Sequence, residues 1–194
     1  MAKLQLVLDS FWPMFKAGLT ISVPLMLVSF ALGLVLAFAL ALMRMSKIAP
    51  LKGIAWFVVW VIRGTPLLVQ IFVIYFGLPS IGLVLKPIPS AIMALVISQG
   101  AYNSEVIRAA LGSIPKGQFE AAVSQGFTYV ERMYYIILPQ SIKIILPPMV
   151  NQIVNLIKNT SCLYIIGGAD LISLTYSFVT GENTGGAYAP AYLV

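Results

Sequence analysis

The chain has 194 residues, 60% of them hydrophobic and only 9% charged, with a formal net charge of +6 and a mean hydropathy of +0.96. A soluble domain holds about 25% charged residues, so this composition excludes an ordinary soluble globule and points to an all-α polytopic membrane protein. The lack of histidine removes His-based metal sites and His general bases, and the single cysteine, Cys162, removes an internal disulfide.

In chain order, the N-terminal stretch sets Leu4, Leu6, Leu8, Phe11, Trp12 and Phe15 among Lys3, Asp9 and Lys16. It reads either as an interfacial helix with Trp12 at headgroup level or as an extension of the first span. No small-residue cleavage site follows a short apolar core, so the first span is expected to act as its own insertion signal. Residues 17–43 are 27 uncharged positions, ample for a span of about 20. A second span is predicted from Gly64 to Leu85, with Arg63 at its entry. Residues 87–104 supply a third if Glu105 and Arg108 lie near its end. A polar segment follows, then a fourth span from about Ile142 to Cys162. A loop over 167–186 leads to an apolar run that begins at Ala187 and stops with the chain at Val194. One bundle in a single transmembrane domain over 1–194 is expected.

The basic residues fall singly along the spans and their edges, which is a topology signal and not the clustering of a nucleic-acid surface. Arg44, Lys47, Lys52, Arg108, Lys116, Arg132 and Lys143 lie on one side, against Lys3, Lys16 and Lys86 on the other. Seven against three puts the segment around Glu120 in the cytoplasm and the N-terminus outside.

That segment, about 113–139, is readable from local signals. Pro115 suits a helix start, Gln118 to Gln125 propagates it, and Gly126 supplies a left-handed cap. Thr128-Tyr-Val-Glu131 matches a capping box that opens a second helix, and Pro139 bends the chain into the bilayer. The expectation is two short helices about Gly126, with Ala121, Ala122 and Gly126 forming a small-residue face for close approach. On physics alone, an amphipathic connector lying on the membrane is an equal reading.

The pattern Glu120-Ala121-Ala122, three residues, Gly126, nine residues, Ile136, one residue, Leu138-Pro139 resembles the EAA motif of bacterial ABC-importer permeases. Arg63-Gly-Thr-Pro-Leu-Leu-Val-Gln70, Gly100-Ala-Tyr102 with Glu105 and Arg108, and Lys158-Asn-Thr-Ser161 resemble the polar amino-acid permeases. The resemblance runs from about residue 13 to the end. It implies a permease bundle of about five transmembrane helices, the fifth incomplete in this chain, in a bacterial inner or plasma membrane. It further implies that Glu120, Ala121, Ala122 and Gly126 couple to ABC ATPase subunits that bind ATP and Mg. An extracytoplasmic amino-acid-binding protein and a second permease, the same chain or a sister, would complete the assembly. No phosphate loop is present, so the chain is expected to hold no cofactor and no catalytic residue of its own. The Phe76-Gly-Leu-Pro79 and Lys86-Pro-Ile-Pro89 segments look most like those of cystine permeases.

Polar residues inside spans are costly and face the bundle interior or a water-lined path. Asn151, Asn155 and Asn159 recur every four residues on the fourth span; Gln99 and Asn103 share one face of the third, and Gln70 lies on the second. They line a substrate pathway or glue helices together. Glu105 with Arg108 reads as a structural pair, and Arg63 as a snorkelling cation. The function expected is ATP-driven import of a polar amino acid, L-cystine first among them. A non-transporting sensor on the same scaffold is the alternative.

Overall fold

The computed structural model describes residues 11, 12, 15, 16 and 18–167. Most of the N-terminal segment, the loop from 168 and the apolar run at Ala187 lie outside the described residues. Of the N-terminal segment, Phe11, Trp12 and Phe15 are helical and exposed.

Among the described residues the elements are helical throughout: α1 Gly18–Met45, α2 Ala49–Gly64, α3 Leu67–Ile81, α4 Pro87–Gly112, α5 Lys116–Ser124 and α6 Tyr129–Ile166. Helices α1 and α6 are each long and apolar enough to cross a membrane, and the α2–α3 pair adds a third if counted as one broken span. Helix α4 has the length of a span at 26 residues. Its apolar content is diluted by Ser90, Ser98, Gln99, Asn103 and Ser104, all of which are buried. Turning polar side chains inward is how a membrane helix carries them.

Two expectations are corrected here. The predicted spans leave no helix between Arg44 and Arg63, and α2 lies there. The ten uncharged residues 53–62 are too few to span, yet Ala55 and Val59 give them a buried face against Leu40 and Ala101. The chain then breaks where predicted for the second span's entry: Thr65 is extended at φ −111° and ψ 138°, as a residue before proline prefers. The second correction concerns Pro139, which does not interrupt the helix. Residues Arg132–Ile137 form a π-turn, and the helix runs unbroken from Tyr129 through Leu138–Asn159 to Ile166. A π-turn bonds each amide one residue further back than an α-helix, and Leu138 N–H reaches Met133 O in this way. Pro139, Pro147 and Pro148 all sit within the continuous helix.

The described residues fall into two compact units: those up to Ser29 with Leu67–Ala94 and those from Leu156, and separately Phe30–Pro66 with Leu95–Asn155. In the first, α3 packs on the Thr160–Ile166 end of α6. In the second, Gly33, Ala37 and Ala41 repeat every four residues along α1 and let α4 approach. A Cβ on Gly33 would lie 2.8 Å from Gln99 Cβ, and one on Gly100 would lie 2.6 Å from Leu36 Cδ2. Small-xxx-small seams of this kind are the packing mode of membrane helices, where burial of apolar surface contributes little. Ala37 and Ala41 also meet Ile107, with Leu111, Ile145 and Met149 around them.

Candidate functional site

Helix α5 begins after Pro115, which stands at the N-cap with φ −57° and ψ 138°. It ends in a two-bond cap: Gly126 N–H donates to Val123 O at 3.0 Å and Phe127 N–H to Ala122 O at 3.1 Å. This Schellman arrangement requires a left-handed residue, and Gly126 supplies it at φ 81°. Two residues later the predicted capping box is present. Thr128 N–H donates to Glu131 Oε2 at 2.9 Å, and Glu131 N–H donates to Thr128 Oγ1 at 3.4 Å. The turn is therefore closed on both sides by local hydrogen bonds.

The expected small-residue face is divided. Ala121 is exposed, but Ala122 is buried within the chain, because adjacent helical positions point about 100° apart. Only Ala121, Gly126 and the exposed Glu120 remain open to an approaching surface. A second correction follows from α6: the turn joins one nine-residue helix to the end of a 38-residue one, not two short helices.

Arg132 entered the sequence reading only as one of the charges that set the topology. Its guanidinium lies 5.9 Å from the centre of the Phe119 ring and 5.5 Å from that of Tyr129, a cation clamped by aromatics from both sides of the turn. Phe119, Glu120, Val123, Ser124 and Arg132 line a concavity of about 400 Å³ on this surface. The Tyr129–Arg132 spacing was a visible local signal; the partner across the turn was not. Gln140 Nε2 also donates to Gln118 Oε1 at 3.3 Å, a further tie between α5 and α6.

The intramembrane polar residues divide by burial. Gln99 and Asn103 are buried, and Asn103 Nδ2 donates to Gln99 Oε1 at 3.3 Å. Asn103 Oδ1 has no partner among the described residues. Gln70 is buried as well, whereas Asn151 and Asn155 are exposed on α6. Glu105 pairs with Arg108 as the spacing suggested, with Arg108 Nη2 at 2.5 Å from Oε1. It also accepts from Arg44, 61 positions away, through its other oxygen. Arg63 is exposed and stands 5.4 Å over the Tyr102 ring. Among the described residues no cluster of three or more metal-ligating side chains occurs.

A buried small-residue seam, polar side chains turned inward and a capped polar turn on a membrane-length helix define a polytopic helical membrane protein. The profile of the family described as binding-protein-dependent transport system inner membrane component matches residues 29–194, and the chain belongs to that family, among the polar amino-acid permeases of ABC importers. It is 45% identical over 157 residues to the L-cystine transport system permease protein TcyB of Bacillus subtilis, covering 81% of this chain and 67% of that one. It is 42% identical over 168 residues to the probable glutamine ABC transporter permease protein GlnM of the same organism, covering 87% and 77%. The structure of an amino acid ABC transporter solved with histidines superposes with a TM-score of 0.84 at 36% identity, covering 97% of this chain and 87% of that one. The MetNI methionine ABC transporter shares the fold at a TM-score of 0.62 and 18% identity. The chain is thus an integral inner-membrane permease component and not an enzyme; ATP hydrolysis and substrate capture belong to partner proteins.

Proposed function

We propose that the chain carries a polar amino acid, with L-cystine the first candidate, by alternating access driven through the turn at Gly126. The observation that carries the reading is mechanical. The capped turn that presents Glu120, Ala121 and Gly126 is joined without interruption to a helix running from Tyr129 to Ile166. That helix is 38 residues long, about 57 Å at 1.5 Å per residue, and so links the polar turn to the membrane-spanning part of the chain. Rigid-body motion of packed helices between two arrangements is a recurrent form of such switching.

In this reading Glu120, Ala121 and Gly126 meet the ATPase, Ala122 holds α5 to its own chain, and ATP with Mg is bound by the ATPase alone. The N-terminus lies outside, as the seven-to-three distribution of basic residues supports. A second permease, identical or sister, covers the face of α6 that carries Asn151 and Asn155. These two amides hydrogen-bond the cargo as it passes, and Gln70, Gln99 and Asn103 contribute polar positions deeper in the helices. The cystine assignment is supported by the 45% identity to TcyB, against 42% to GlnM.

Uptake of labelled cystine, glutamine, arginine, histidine and glutamate into vesicles holding the complete assembly tests both parts. ATP-dependent accumulation of cystine above the others is expected. Accumulation of another amino acid would refute the cargo alone, and ligand-dependent conformational change with no accumulation would refute transport.

A further inference from the structure

We propose that the pocket formed by Arg44, Trp56, Val59, Trp60, Arg63, Gly64 and Glu105 is a headgroup site for an anionic phospholipid. The pocket holds about 290 Å³ and is lined from α4 by Glu105, seven residues before that helix ends at Gly112. Arg44 reaches Glu105, and Arg63 stands over Tyr102, three residues earlier on α4 and so about 4.5 Å along its axis. Two guanidiniums from different helices therefore converge on the same turn.

Their charges are not balanced. Glu105 accepts from Arg108 at both oxygens, Nη2 to Oε1 at 2.5 Å and Nε to Oε2 at 3.2 Å, and from Arg44 at Oε2, so this carboxylate is already committed to two guanidiniums. Among the described residues no carboxylate lies within ion-pair distance of Arg63, whose neighbour is an aromatic face. Arg44, Arg63 and Arg108 set against Glu105 leave an excess of positive charge at a membrane edge, where an anion is the natural complement. Guanidinium presents a planar fork matched to two phosphate oxygens.

The wall beside the arginines distinguishes a lipid from a free anion. Trp56 and Trp60 stack at 6.1 Å with planes 7° apart, and both are more than half exposed. Paired indoles belong to the headgroup level of a bilayer, where one edge is wet and the other apolar. Gly64 adds no side chain, and a Cβ there would meet nothing within 4 Å, so the pocket stays open beside Arg63. Ile54 and Phe57, also exposed on α2, continue the apolar surface that acyl chains would cover. A free phosphate would use the arginines and leave the indoles idle.

The test is native mass spectrometry of the complete importer released from bilayers of mixed phosphatidylglycerol and phosphatidylcholine. Selective retention of phosphatidylglycerol is expected, reduced about tenfold by Arg63→Gln, since a charge-assisted hydrogen bond is worth about that factor. Arg63→Lys should recover part of it, and Lys143→Gln, an exposed basic residue outside the pocket, should leave it unchanged. Equal retention of phosphatidylcholine, or an equal loss in Lys143→Gln, would overturn the proposal. Displacement of phosphatidylglycerol by inorganic phosphate would reassign the pocket to a soluble anion and also overturn it. Should Arg63→Gln fail to assemble, competition between short-chain phosphatidylglycerol and phosphatidylcholine on the unaltered importer decides, and equal affinities sink the lipid site.

Discussion

Substituting Gly126 with alanine isolates the backbone requirement of the turn. At φ 81° an alanine would stand in the left-handed region, and a Cβ there meets nothing within 4 Å, so sterics with neighbours contribute nothing. The cost is conformational, about 1–2 kcal/mol for a non-glycine residue, and a population shift of roughly 5- to 30-fold follows from one or two kcal/mol. It falls on the hydrogen bonds from Gly126 to Val123 and Phe127 to Ala122, which set the angle between α5 and α6. Uptake per ATP hydrolysed in proteoliposomes with the full assembly should therefore drop, while ligand capture by the binding protein stays intact. Gly126→Asn should fall less, because asparagine tolerates this region better. Gly117→Ala is the matched control. It lies within α5 with open space around it, so alanine there should strengthen the helix by about 0.5–1 kcal/mol and preserve coupling. Normal coupling in Gly126→Ala alongside loss in Gly117→Ala would refute the reasoning.

Gly100→Ala would place a methyl 2.6–3.0 Å from three atoms of Leu36, and overpacking of this kind costs about 1–3 kcal/mol. A lowered melting temperature in detergent is expected, with partial rescue by Leu36→Ala; no rescue would place the defect elsewhere. Glu105→Gln leaves Arg44 and Arg108 without their shared carboxylate and should destabilise by about 1–3 kcal/mol, the range for hydrogen bonds to charged groups. A double-mutant cycle with Arg44→Gln should show coupling, and strict additivity would mean that the contact contributes nothing. Asn155→Ala should change the rate or selectivity of uptake with assembly intact, since Asn155 is exposed on α6; dissociation of the permease pair without a transport defect would make it a gluing residue.

The parts legible in the sequence share one property, that their cause is local. Twenty-seven uncharged residues make a span whatever they pack against. The Gly126 cap and the Thr128–Glu131 box each close within a few residues, and the i,i+3 spacing of Glu105 and Arg108 puts them on one face. The polar character of the segment around Glu120 needed only a count of charges. Tertiary structure decided what depends on distant partners. It set Arg44 against Glu105 across 61 positions and placed Arg132 between Phe119 and Tyr129. It turned Ala122 inward while leaving Ala121 out, and it made a packed helix of 49–64 because Leu40 and Ala101 offered Ala55 and Val59 a surface. It also carried α6 on through Pro139, next to a π-turn at Arg132–Ile137. Local hydrogen bonds and apolar length can be read one segment at a time; burial and ion pairing are properties of two segments at once, and only the folded chain brings both together.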